Sequence, residues 1–132
     1  MATDVRSDRR YTKDHEWAKR QDDKVYIGVT AFAVDQLGDI TLVNIDVKPG
    51  EVITAGKAFG TIESVKTLSD LFAPISGKVV HINDKLENTP ELVNEDCYEK
   101  AWMIALEPSD PNELDQLLDH GAYEELLKTA AH

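Results

Sequence analysis

Residues 60–70 read Gly60-Thr-Ile-Glu-Ser-Val-Lys-Thr-Leu-Ser-Asp70, and the architecture turns on how this stretch doubles back. The apolar-leaning segment Ala58 to Val65 has the β-branched content of a strand. It runs into one lysine, Lys66, and the chain then turns polar before a second extended group, Leu71-Phe-Ala-Pro74. Two extended segments on either side put Lys66 at a hairpin tip. A weak internal echo agrees: Gly50-Glu-Val-Ile53 and Gly77-Lys-Val-Val80 each follow a nearby proline and start a strand, on opposite sides of Lys66. Such a pattern suits a pseudo-symmetric sandwich.

The chemistry open to Lys66 can be narrowed from its neighbours. A phosphate-binding loop needs a second glycine directly before the lysine, and Val65 stands there. A β-branched residue lacks the backbone freedom that wraps phosphates. A Schiff-base lysine must lose its proton near neutrality, through deep burial or a nearby cation. Glu63 and Asp70 instead favour the charged form. Two readings stay open: an amine presented on a rigid tip for another enzyme to modify, and a solvated hairpin lysine with no role.

Outward from the tip, Lys24-Val-Tyr-Ile-Gly-Val29 predicts a strand. Thr30 offers an N-cap to a short helix over 31–37, and Gly38 sits where its C-cap belongs. Ile40 to Val47 reads as the longest strand, with a change of alternation phase that marks a bulge or burial on both faces. Short strands follow over Glu51 to Thr54 and Lys78 to Ile82, and Ala101 to Leu106 forms a last apolar strand. Tyr11 to Trp17 reads as an edge segment. In the tail, Asp110-Pro-Asn-Glu113 resembles a capping box, Leu114, Leu117 and Leu118 follow at helical spacing, and Gly121 separates a second short helix around Tyr123, Leu126 and Leu127.

The chain has 132 residues, enough for one domain with a modest core. Its net charge of −11 argues against nucleic acid and anionic membrane surfaces, and favours basic protein partners through steering. Cys97 is the sole cysteine, so no internal disulfide can form; it reads as a packing residue. The four histidines, His15, His81, His120 and His132, have no zinc-ligand spacing. Trp17 and Trp102 read as core anchors, and the acidic stretch from Glu107 to Glu125 as a helical cover with a solvated outer face.

GTIESVKTLSDLFAPISGKVV resembles the lipoyl-attachment segment of the glycine cleavage H-protein family. YTKDHEW, GVTAFAVDQLGD, ENTPELVNED, the Trp102 strand and SDPNELDQLLD resemble the same family in the same order, over roughly residues 11 to 127. The resemblance implies that Lys66 carries lipoate as an amide, and that the protein is a carrier rather than an enzyme. It implies three partners. A pyridoxal-phosphate glycine decarboxylase releases CO2 and leaves an aminomethyl group on the arm. A tetrahydrofolate-dependent aminomethyltransferase takes the methylene and frees ammonia. A flavin-containing dihydrolipoyl dehydrogenase restores the disulfide. A fourth partner is the lipoate-attaching enzyme, for which Glu63, Ser64 and Val65 are the matching recognition surface. The resemblance also implies a surface cleft that shelters the loaded arm from water, with Glu16 and Asp70 at matching positions, both suited to hydrogen-bonding an ammonium.

Some positions depart from the family pattern. Gln36 stands where relatives often have histidine, which removes an imidazole from the cleft. Ala31 replaces a common acid, Cys97 and Ala101 replace proline and glycine, and Thr67 replaces a common alanine. Outside the cleft role, Glu16 reads as a surface strand charge and Asp70 as a turn or cap residue.

The expected fold is mainly β, a barrel-sandwich hybrid resembling lipoyl/biotinyl carrier domains, with a short internal helix and C-terminal helices over about 110–128. Residues 1–10 are expected to be a flexible lead segment and 11–132 a single carrier domain, monomeric. The alternatives are a lipoyl carrier for lipoate relay or another multienzyme complex, and a non-lipoylated regulatory homologue. Biotin is disfavoured, because Val65 and Thr67 flank the lysine where biotin acceptors usually have methionines. Met1 and the absence of an apolar leader suggest the bacterial cytosol, with the mitochondrial matrix as the alternative for a processed chain.

Overall fold

The computed structural model describes residues 5–130. Residues 1–4 of the expected lead segment, and His132, lie outside the described residues. The elements are β1 (Arg10–Tyr11), β2 (Glu16–Gln21), β3 (Lys24–Val29), α1 (Ala31–Leu37), β4 (Ile40–Ile45), β5 (Val52–Ile53), β6 (Ala58–Ser64) and β7 (Leu68–Phe72). They continue with β8 (Gly77–Ile82), α2 (Lys85–Asn88), α3 (Leu92–Glu95), β9 (Ile104–Pro108), α4 (Asn112–Asp115) and α5 (His120–Ala130).

These strands make two antiparallel sheets. One has six strands in the order β1-β2-β3-β9-β8-β5, and the other has three, β4-β6-β7. A single buried cluster takes Trp17, Ile27, Ile104 and Leu106 from the first and Val43, Phe59, Ile62 and Leu71 from the second. The mainly β sandwich with a short internal helix and a C-terminal helix is the architecture expected from the sequence. The two echoing segments pair with each other, Val52 opposite Lys78 and Ile53 opposite Gly77. The phase change after Ile40 is a bulge: the register with β6 shifts between Ile40 and Leu42.

At Gly28 and Gly60 no side chain fits. Trp17 is paired with Gly28 across β2 and β3, and a Cβ there would come within 2.7 Å of the indole ring. A Cβ on Gly60 would strike the Asn44 carbonyl oxygen of β4. Trp17 itself is 1% exposed and donates from Nε1 to the Cys97 carbonyl at 3.0 Å. The Arg9 guanidinium lies 4.6 Å from the centre of the Trp17 ring, and Arg9 is buried, bonded to Tyr98 and paired with Asp8 and Glu99. Cys97 is buried.

Several elements differ from the sequence reading. β7 starts at Leu68 rather than near Leu71, so Asp70 is a strand residue paired with Thr61, not a turn or cap. The last strand begins at Ile104 rather than Ala101, and Trp102 is only partly buried, with its ring edge-on to Tyr26 at 5.2 Å. In the tail, Asp110 Oδ1 does accept from the Asn112 N–H at 3.0 Å. The capping box is not completed, because Glu113 reaches across to accept from the Ser76 N–H at 2.9 Å. Helix α4 stops at Asp115, and Leu118 instead exchanges backbone hydrogen bonds with Tyr11. Gly121 lies inside α5 and does not break it. The short helices α2 and α3 have no counterpart in the sequence reading. Among the described residues no helix is long and apolar enough to cross a membrane.

Candidate functional site

The hairpin tip is built by Ser64. Its buried Oγ accepts from the backbone N–H of Lys66 at 3.1 Å and of Thr67 at 3.2 Å. The Ser64 N–H donates to the Thr67 carbonyl at 2.8 Å, closing the turn. The Val65 N–H donates to the Asp39 carbonyl at 3.0 Å, tying the tip to the segment after α1. Val65, Lys66 and Thr67 are exposed, so a clamped backbone carries a free-standing amine. Ser64→Ala removes both clamps where water can replace them. The expected loss is about 1 kcal/mol, with faster hydrogen exchange at the Lys66 and Thr67 amides than in the parent. Unchanged exchange would mean that Ser64 does not hold the tip.

The lysine stem leaves this tip toward α1. Lys66 Cε lies 3.4 Å from the place a Cβ would occupy on Gly38. Gly38 ends α1 with φ of 82°, its N–H bonded to the Val34 carbonyl. At the start of the helix the Thr30 side chain accepts from the Ala33 N–H, so both predicted caps form. Helix α1 is one wall of a cleft of about 380 Å³, and β7 is another. Ser69, Asp70 and Leu71 line it from β7, and Phe32, Ala33, Gln36 and Leu37 from α1.

The lining is acidic. Asp14, Glu16 and Asp70 all line the cleft, and no lysine or arginine does. Glu16 is 3% exposed, not the surface charge that a strand carboxylate suggests. It accepts from Thr12 Oγ1 at 2.9 Å and from the Phe72 N–H at 3.2 Å. Desolvation nevertheless outweighs these bonds and pushes its carboxyl up from 4.5 to about 7. A buried carboxyl with two donors and, among the described residues, no counter-ion is a place where an arriving cation is stabilised.

The same shift sets a pH dependence. Because the folded protein holds this proton more tightly than the unfolded chain, the Glu16 penalty is absent below pH 4.5 and fully present above about pH 7. Glu16→Gln removes it. The stability of the variant relative to the parent therefore rises by roughly 3 kcal/mol between acid and slightly alkaline solution. Denaturant midpoints at the two extremes measure this, and a pH-independent difference would contradict it.

The sequence reading missed His15. The sequence gives His15 no ligand spacing, and Gln36 predicts a cleft without an imidazole. His15 lines the cleft beside Glu16. It holds a left-handed backbone (φ 68°), packs on Phe32 at 4.7 Å, and brings Nδ1 within 2.8 Å of Tyr123 Oη. The residues offered as a recognition surface are near the tip. Glu63 is half-buried on β6, in register between Leu42 of β4 and Leu68 of β7, both exposed. Gln36, Glu16 and Asp70 thus line one cleft, Lys66 lies outside that lining with its stem against Gly38 at the end of α1, and Ala31, Cys97 and Ala101 do not line the cleft.

The model of the family described as "Glycine cleavage H-protein" matches residues 9–130. The chain belongs to the glycine cleavage H-protein family. The glycine cleavage system H protein of Bacillus licheniformis is 53% identical over 119 residues, spanning 90% of this chain and 93% of its own length. That of Thermus thermophilus is 47% identical over 128 residues, 97% of this chain and 99% of its own length. The crystal structure of a glycine cleavage system H protein from Mycobacterium marinum superposes with a TM-score of 0.84 at 33% identity, covering 97% of this chain and 100% of that one. Its relatives over nearly its whole length are H proteins of the glycine cleavage system.

Proposed function

We propose that Lys66 is the residue that carries lipoate, and that the cleft beside it shelters the loaded arm. The observation that carries this is a single exposed amine on a clamped tip, its stem directed along Gly38 toward the helix that walls an acidic cleft. The cleft volume and its mixed apolar and acidic lining fit a chain of methylenes ending in a cationic amine. The bound dithiolane supplies the redox and group-transfer chemistry. The protein supplies attachment, reach and shelter, and is not itself a catalyst. Tethering through Lys66 raises the effective concentration of the arm at each docked enzyme.

In this reading Glu16 and Asp70 hold the amine, and Phe32 and Leu37 restrict water around it. Glu63, Ser64 and Val65 shape the surface met by the lipoate-attaching enzyme. With lipoate on Lys66, the chain would carry the aminomethyl group of glycine from the pyridoxal-phosphate decarboxylase to the tetrahydrofolate-dependent aminomethyltransferase, and dihydrolipoyl dehydrogenase would restore the disulfide. The net charge of −11 favours partners with basic docking faces. The bacterial relatives favour a cytosolic setting. Glycine-dependent exchange of labelled bicarbonate, run with the decarboxylase and fully lipoylated chain, distinguishes this role from lipoate relay. Exchange is expected. Its absence despite full lipoylation would assign the chain to relay.

A further inference from the structure

A buried relay runs from the helix cap to the cleft. Thr30 is 0% exposed, and its Oγ1 accepts from the Ala33 N–H at 3.2 Å and lies 2.7 Å from Tyr123 Oη. Tyr123 is also fully buried, stacked on Tyr11 at 4.5 Å with the rings 5° from parallel, and its Oη lies 2.8 Å from His15 Nδ1.

The proton positions follow from counting donors. If His15 donated from Nδ1, Tyr123 would donate to Thr30, and the Thr30 hydroxyl proton would be left without an acceptor in a buried site. In the opposite order, Thr30 donates to Tyr123 and Tyr123 donates to His15 Nδ1, and every group is satisfied. That order makes His15 neutral, with its proton on Nε2. No buried side-chain nitrogen or oxygen among the described residues lacks a partner, and Nε2 makes no hydrogen bond among them, so it is reached by solvent on a residue that lines the cleft.

We infer that Tyr123 is a positioning residue for the cleft: with Thr30 it fixes His15 as the neutral Nε2–H form and keeps a second positive charge away from the amine site. Protonating Nδ1 would reverse the relay and orphan a buried hydroxyl. The titratable groups around the imidazole are Asp14 and Glu16 on its own segment, Asp70 on β7 and Tyr123 on α5; α1 contributes only the uncharged Phe32, Ala33, Gln36 and Leu37. The three carboxylates would favour an imidazolium, so the relay and the burial of the ring oppose them. Burial holds the imidazole below the usual histidine range, in line with this. An imidazolium beside Glu16 would also compete for the carboxylate that the arm's amine needs.

The inference rests on the carrier reading, and its test separates the two. Nitrogen-resolved NMR of the imidazoles in unlipoylated protein reports the His15 tautomer directly. The parent is expected to show Nε2–H alone; an Nδ1–H form would overturn the proposal without any variant. Tyr123→Phe keeps the ring on Tyr11 and deletes the hydroxyl. It is expected to mix the tautomers and raise the His15 midpoint by about one pH unit. On lipoylated, glycine-loaded protein the same variant is expected to lose the aminomethyl group several-fold faster, on the order of 3- to 10-fold, at mildly acid pH and at the parent rate in alkali. An unchanged midpoint, or equal loss at both pH values, would reduce the relay to a strut for α5. Failure of lipoylation would sink the carrier reading while leaving the tautomer result standing.

Discussion

Lys66→Arg chain, folded as the parent and incubated with the decarboxylase, glycine and labelled bicarbonate, gives no exchange above the level seen without it. Arginine keeps the charge and most of the length, so the clamp by Ser64 and the tie to Asp39 are undisturbed. It cannot be acylated as lysine is, because its guanidinium does not lose its proton in proteins. The loss is therefore complete rather than graded. It is also separable from folding, since Lys66 is exposed and makes no ion pair among the described residues. Exchange at even a tenth of the parent rate would place the arm elsewhere. The regulatory alternative makes the opposite statement, that Lys66→Arg leaves function intact.

Trp17→Ala is the substitution with the largest expected effect on stability. The indole is 1% exposed, covers Gly28, and anchors the Cys97 carbonyl through Nε1. Arg9 stacks on one side of it, and the Tyr98 ring lies 6.4 Å away. Removing it opens a cavity and deletes the buried hydrogen bond from Nε1 to the Cys97 carbonyl. The expected loss is about 3–5 kcal/mol, out of a total that for domains of this kind is roughly 5–15 kcal/mol. Denaturant titration should show a much lower midpoint. A loss under about 1 kcal/mol would mean that the site collapses around the gap. The effect should reach the cleft, because Trp17 follows Glu16 on β2 and fixes how that strand presents its carboxylate.

Legibility in the sequence followed the range of the interactions. Strand β3 and helix α1 match the sequence reading because their signals are local: Thr30 caps a helix three residues ahead and Gly38 closes it. The hairpin with Lys66 at its tip was legible for the same reason. Its tightness was not, because the turn depends on one hydroxyl folding back on two amides. The burial of Glu16 was hidden, since a lone acid in a strand reads as solvated until the Phe72 amide arrives from 56 residues away. His15 was missed for a similar reason: its partner Tyr123 is 108 residues distant. The tail was misread because Leu118 is drawn into pairing with Tyr11 and Glu113 into bonding Ser76, both long-range contacts that override helical spacing.

The central claim is that Lys66 is the lipoyl-carrying residue. The most direct measurement is peptide-resolved mass spectrometry of the chain after expression in lipoate-supplied cells that lipoylate their other carriers. The account predicts one lipoyl group per chain, confined to the peptide that holds Glu63 to Asp70, on Lys66 alone. An unmodified chain in those cells, or a lipoyl group on any other lysine, would contradict it.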